Sequence, residues 1–285
     1  MRRATLSVLR GICQMPAYVA YEKEFFRDED LDVTIRVSPT AWMVPDQLAA
    51  EEAAFAVIPW TRVATSAERG VPLVAVAGSG YEEAAVVVRN GIETGEVRSV
   101  ALPSEGGMKD LTALALLEHL GWHHVRRLRQ PSGDGAVLAL VGEGADAASM
   151  IEPYATMLSE IGIGRVVKRT GDVWPGAPGC CLATTCALRD ASPDVVLAVV
   201  RAFARGMSFV GERPDEAAEI ASAYIGVHPR FIRAALRANH PRLDGIRNRD
   251  AMEKVLSLMK QLRYLADGPG NFVDTRFMDR IAGAR

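Results

Sequence analysis

The chain has 285 residues, 49% of them hydrophobic and 24% charged, with a formal net charge of -2. That balance is typical of globular proteins and carries no basic footprint for nucleic acid. No stretch approaches the ~20 consecutive apolar residues of a membrane span, and the length exceeds a usual single domain of about 100–150 residues.

In chain order, strand-like runs at Ala4–Leu9, Val33–Val37, Ala54–Ile58 and Leu73–Ala77 alternate with helical stretches starting near Pro16, Pro45 and Arg62. The alternation then restarts. Strands are expected at Ala85–Val88, Ser99–Leu102, Ala145–Met150 and Arg165–Lys168, with helices over Gly107–Leu120 and Ala136–Gly142. Alternating β and α segments predict parallel sheet covered on both faces, and two such series predict two lobes. The basic run Arg126-Arg127-Leu128-Arg129 reads as a solvated helix end, where the dipole favours cations. After Cys181–Thr185 only helices follow: Ser192-Pro193-Asp194 is a cap, a first-turn proline and a first-turn acid, and Val196, Val199, Val200, Phe203, Met207 and Val210 keep a helical period. These helices need a sheet to cover, so the chain is expected to cross to its second lobe near 82–85 and to return near 181–185. That division assigns 1–84 plus 184–285 to lobe 1 and 85–183 to lobe 2. Two lobes on two crossovers form a hinge around a cleft, and such clefts hold small ligands.

Several positions carry chemistry. Glu152, in Met150-Ile151-Glu152-Pro153-Tyr154, stands at a strand end where ligands collect in open α/β sheets, with Tyr154 beside it. Gly11-Ile12-Cys13-Gln14-Met15-Pro16 links the first strand to the first helix. Unsatisfied N–H groups at a helix start attract anions, Gln14 adds an amide, and a thiol so placed can ionise easily. Ser104-Glu105-Gly106-Gly107 is a second candidate anion cradle, Ser104 as a cap and Gly106 and Gly107 for close backbone approach. Trp60, followed by Thr61, and Tyr81 are candidate aromatic walls for an organic ligand. Of the four cysteines, Cys180, Cys181 and Cys186 lie on or after the return crossover; Cys181 is a candidate cleft residue. No C-x-x-C pair is present, so neither a disulfide framework nor a zinc ribbon is expected. None of the five histidines pairs with a cysteine at a recognisable spacing.

Pro16-Ala17-Tyr18-Val19-Ala20, Glu22-Lys23-Glu24-Phe25-Phe26, Leu31-Asp32-Val33, Gly70-Val71-Pro72-Leu73, Asp146-Ala147-Ala148 with Glu152-Pro153-Tyr154, and Pro214-Asp215-Glu216-Ala217-Ala218 follow one another in a familiar order. Together they resemble the solute-binding proteins for nitrate, sulfonates and taurine, whose superfamily also holds the pyrimidine synthases of thiamine biosynthesis. The resemblance implies a type 2 periplasmic-binding-protein-like α/β fold, with a helical C-terminal region packed on lobe 1. It also implies that the protein closes on a small organic anion (a sulfonate, a carboxylate or a pyrimidine-like molecule). An ABC permease is the implied partner if the protein is exported, and no cofactor or metal is called for. The alternative is a cytoplasmic enzyme on the same scaffold, similar to the aromatic sulfinate desulfinases or the pyrimidine synthases, with Cys13 as nucleophile. The desulfinases resemble this chain in the Cys-x-x-Pro step, but their nearby histidine has no counterpart here. Arg2 and Arg3 imitate the start of an export signal, yet Arg10 and Gly11 interrupt the apolar run and no A-x-A site follows. As written the chain is expected to stay in the cytoplasm, or in the periplasm if the gene starts upstream.

Overall fold

The computed structural model describes residues 1–131, 133–266 and 268–283 and contains two five-stranded sheets. In lobe 1 these are β1 (Arg2–Val8), β2 (Leu31–Val37), β3 (Phe55–Pro59) and β4 (Leu73–Gly78), with α1 (Met15–Glu22), α2 (Val44–Ala49) and α3 (Trp60–Ala64) between them. Lobe 2 follows with β5 (Ala84–Arg89), β6 (Ser99–Leu102), α4 (Met108–His119), β7 (Arg126–Arg129), α5 (Gly133–Val141), β8 (Ala147–Ile151), α6 (Tyr154–Glu160) and β9 (Gly164–Arg169). The chain then returns as β10 (Cys180–Thr185) and finishes with α7 (Cys186–Ala191), α8 (Pro193–Glu212), α9 (Pro214–Ile225), α10 (Pro229–Ala238), α11 (Arg249–Gln261) and α12 (Arg276–Ala282).

The two sheets share one plan. Their orders are β2-β1-β3-β10-β4 and β7-β6-β8-β5-β9, and each contains a single antiparallel strand inserted by a crossover: β10 in the first, β5 in the second. β10 pairs with both β3 and β4, so the return is complete before Cys180. Residues 180–183, expected in the second lobe, therefore belong to the first sheet. The reason is local: Cys180 to Ala183 are buried, as an interior strand requires.

Apolar strands covered on both faces explain the second lobe. Along β5, Val86 and Val88 pack with α4 residues Ala113, Leu116 and Leu117, while Ala85 and Val87 face Ala136, Leu140 and Leu158 on the other side. The basic run 126–129 is not a helix end. It forms β7, parallel to β6 and largely exposed, because α4 already stops at His119 and Gly121 takes a left-handed φ of +70°. An edge strand rich in arginine resists pairing with other chains.

The C-terminal helices bury their apolar stripe on lobe 1, α8 through Val196, Val199, Val200, Phe203 and Val210. At Gly206, α8 meets α1 so closely that a Cβ would lie 2.1 Å from the Pro16 carbonyl oxygen. The tail also reaches lobe 2, where α10 touches α6 and Arg129 donates to the Tyr264 hydroxyl at 3.4 Å. Among the described residues, no helix is long and apolar enough to cross a membrane.

Candidate cleft between the lobes

The crossovers, residues 79–83 and 170–179, run side by side as a short ribbon: Gly179 N–H donates to Gly80 O at 3.0 Å and Glu82 N–H to Ala177 O at 3.0 Å. Above this hinge lies a cleft of about 80 Å³. Lobe 1 contributes the turn after β1 (Leu9, Arg10, Cys13, Gln14), the loop before α2 (Pro39, Thr40, Ala41), Arg62 and Cys180. Lobe 2 contributes Ser104, Gly107 and Lys109 from the start of α4, Asp134 from α5, and Met150, Ile151 and Tyr154 around the end of β8. Contacts across the mouth hold the lobes together: Ile12 N–H donates to Glu152 O at 3.1 Å, Arg10 lies 3.5 Å from Asp134, and Arg62 donates to Glu105 O.

The floor is a chain of soft and acidic groups. The Cys13 thiol donates to Cys180 Sγ at 3.2 Å, and the Cys180 thiol donates to Glu83 Oε1 at 3.1 Å. Gln14 fixes one end, its Oε1 accepting from Leu9 N–H at 3.0 Å while its Nε2 donates to Cys13 Sγ at 3.2 Å. Glu83 fits because the two hinge strands carry glycine on either side: a Cβ on Gly80 would lie 1.9 Å from Glu83 Oε2, and one on Gly179 2.3 Å from its Cδ. Glu83 Oε2 is buried without a hydrogen-bond partner.

Burial dominates the electrostatics. It raises the Glu83 carboxyl against the opposing hydrogen bonds from Cys180 and Cys13, and it raises both the Cys13 and Cys180 thiols. The Tyr154 phenol is pushed up to about 12, first by burial and then by Asp134. Burial lowers the Lys109 amine, and Glu83 pulls it back up. Among the described residues no carboxylate lies within ion-pair distance of that amine.

Five of the expected ligand-binding residues line the cleft: Cys13, Gln14, Ser104, Gly107 and Tyr154. The other seven do not, each for a local reason. The Glu152 carboxylate is fully buried beneath the cleft wall, accepting from Arg169 at 2.6 Å and capping α6 through Thr156 N–H at 3.0 Å. Trp60 turns inward against Phe272, ring centroids 5.9 Å apart, and its indole N–H donates to Pro178 O at 2.8 Å. Thr61 is buried beside it. The Tyr81 ring lies under the Arg242 guanidinium at 4.2 Å, on the outside of the hinge. Pro16 faces α8, and Cys181 points to the opposite face of β10 from Cys180. Gly106 N–H is already taken by Asp110 Oδ2 at 2.8 Å, so this chain's own carboxylate fills part of that cradle.

Sequence reasoning misses Glu83, Lys109, Arg10, Asp134 and Thr40 as cleft residues. Two signals existed: a lysine in the first turn of the mostly apolar helix segment Met108–Leu117, and an adjacent cysteine pair on a strand, which must face opposite ways.

A family model for the NMT1-like family matches residues 1–225. No curated protein matches the chain by sequence. Among solved structures, a ligand-binding component of an ABC-type import system from Staphylococcus aureus, solved with zinc bound, is 16% identical with a TM-score of 0.85, covering 98% of each chain. The periplasmic aliphatic sulphonate-binding protein of Escherichia coli is 12% identical with a TM-score of 0.77, over 94% of this chain and 95% of that one. The periplasmic nitrate-binding protein of Synechocystis PCC 6803 is 17% identical with a TM-score of 0.71, over 81% of this chain and 69% of that one. With two pseudo-equivalent sheets, each carrying one crossover strand, and a cleft above a double hinge, the chain belongs to the NMT1-like family and has the fold of the type 2 periplasmic binding proteins.

Proposed function

We propose that this chain is a solute-binding protein whose lobes close on a small organic anion, with the Lys109 ammonium as its counter-charge. The observation that carries the reading is a half-buried cation lining the cleft, with no ion-pair partner among the described residues. Arg10 is matched by Asp134, and Glu83 is pushed towards its neutral form by burial, so Lys109 and Arg62 leave the cleft positive. An unpaired buried charge is costly, and a bound carboxylate or sulfonate relieves that cost. Structural relatives named for sulphonate and nitrate binding support the same class of ligand.

Size narrows the class. At ~10–15 Å³ per water-sized group, the cleft's 80 Å³ holds about five to eight such groups in this closed arrangement. A short sulfonate or carboxylate fits, whereas a long chain requires a wider opening. An ABC permease is the natural recipient of such a cargo where the protein is exported.

The alternative, Cys13 as an enzymatic nucleophile, lacks two requirements. No histidine lines the cleft among the described residues, and burial raises the thiol when a nucleophile needs it lowered. A thermal-shift screen of short sulfonates, aromatic carboxylates and pyrimidines tests the proposal. A ligand at 100 times its Kd adds about 2.7 kcal/mol of stability. If no organic anion raises the melting temperature while neutral compounds do, the anion reading fails.

A further inference from the structure

We propose that Cys13, Cys180 and Glu83 form a binding site for a thiophilic divalent cation, with Zn²⁺ the best match, on the lobe 1 side of the cleft floor. One ligand atom from each residue lies within 4.8 Å of the other two, and all three residues are buried. Two thiolates and a carboxylate make a donor set that zinc accepts; the hard oxygen disfavours Cu⁺, and the sulfurs disfavour Mg²⁺ and Ca²⁺.

The geometry is close to loaded. Zn–S bonds of ~2.3 Å and Zn–O bonds of ~2.1 Å at tetrahedral angles place S···S at about 3.8 Å and S···O at about 3.6 Å. The observed separations are 3.2 Å and 3.1 Å, so the three side chains need to spread by about half an ångström. Glu83 Oε2 is buried against Gly80 without a hydrogen-bond partner, so the carboxylate that touches the cluster through Oε1 has a second acceptor still unsatisfied. A capped, paired carboxylate such as Glu152 offers no such oxygen.

Charge supports the same reading. On binding, both thiol protons leave together with the proton that burial favours on Glu83, and two thiolates plus one carboxylate around Zn²⁺ carry one net negative charge. The Lys109 ammonium interacts electrostatically with Glu83 and with both cysteines, and so moderates that negative charge. Three protein ligands leave a fourth position, and the cleft above the cluster is where a water or a ligand atom would enter it.

The pair is invisible to spacing rules because Cys13 and Cys180 are 167 residues apart and arrive from the turn after β1 and the start of β10. Cys181, although adjacent to Cys180, is excluded by the alternation of β10.

Cobalt substitution of the full chain, kept reduced with a phosphine, tests the site. Wild-type protein should take up one Co²⁺ per chain with a near-ultraviolet thiolate-to-cobalt band. Cys13→Ser and Cys180→Ser should each roughly halve that band, and the double variant should abolish it. Cys181→Ser should leave it unchanged, and Glu83→Gln should keep it while weakening affinity at least tenfold. Because the serine variants can also perturb folding, calorimetry on the wild type in buffers of different ionisation enthalpy gives a second reading: about two to three protons released per Zn²⁺ at neutral pH, two from the thiols and the remainder from Glu83. No band in the wild type, a band that survives the double variant, or zinc binding without proton release would each overturn the assignment.

Discussion

Replacing Glu152 by alanine separates a structural role from a ligand-binding one. The carboxylate accepts from Arg169 at 2.6 Å and caps α6 through Thr156 N–H at 3.0 Å. Loss of a cap costs about 1 kcal/mol and loss of a charge-assisted hydrogen bond about 1.5–3 kcal/mol. The Arg169 side chain is 29% exposed and regains some water, which keeps the second contribution near its lower end. Glu152→Ala should therefore lose about 2–3 kcal/mol in urea denaturation, with the slope unchanged. Glu152→Gln retains a cap acceptor and should lose less. Anion affinity, read by calorimetry on the folded variants, should stay within about twofold in both, because the side chain does not reach the cleft. A tenfold loss of affinity at near-native stability would refute this and return Glu152 to the binding site.

Two glycines in α8 should respond with opposite signs. Gly206→Ala drives a Cβ into the Pro16 carbonyl and should cost about 1–3 kcal/mol, whereas Gly211→Ala meets nothing within 4 Å and should gain up to about 1 kcal/mol of helix propensity. Equal shifts in their melting temperatures would contradict the packing described for α1 and α8. Asp274 is held below the ordinary carboxylate range chiefly by its hydrogen bonds from Arg276. Its contribution is therefore present above the ordinary Asp value of about 3.9 and is lost as pH falls through its depressed folded value. The stability difference between wild type and Asp274→Asn should be full at neutral pH and should shrink below about pH 4; a difference independent of pH down to 2 would show that the charge contributes nothing.

Much of the scaffold was legible in local chemistry. Ser99–Leu102 is a strand at the expected residues, and β1 to β5 differ from expectation only at their ends, because their apolar runs are bounded by charges, glycines and prolines. Arg126–Arg129 was not legible, since an exposed edge strand has no buried face to leave an apolar alternation. The cleft was half-readable. Cys13, Gln14, Ser104, Gly107 and Tyr154 stand at strand ends or helix starts, where topology alone brings them together. Trp60 and Glu152 stand at equally promising ends but turn inward, Trp60 to stack on Phe272 and Glu152 to meet Arg169; those partners come from distant segments and no local pattern announces them. Glu83 was hidden for the converse reason, since the two glycines that make room for it lie on separate crossovers.

The claim on which the function rests is that Lys109 is the charge a bound anion answers. Titration of wild type and Lys109→Gln with the best anion from the screen tests it most directly. The account predicts saturable one-to-one binding by the wild type and at least a tenfold weaker Kd for the variant, with an unchanged or higher melting temperature in the absence of ligand. Equal affinity in the two proteins would contradict it.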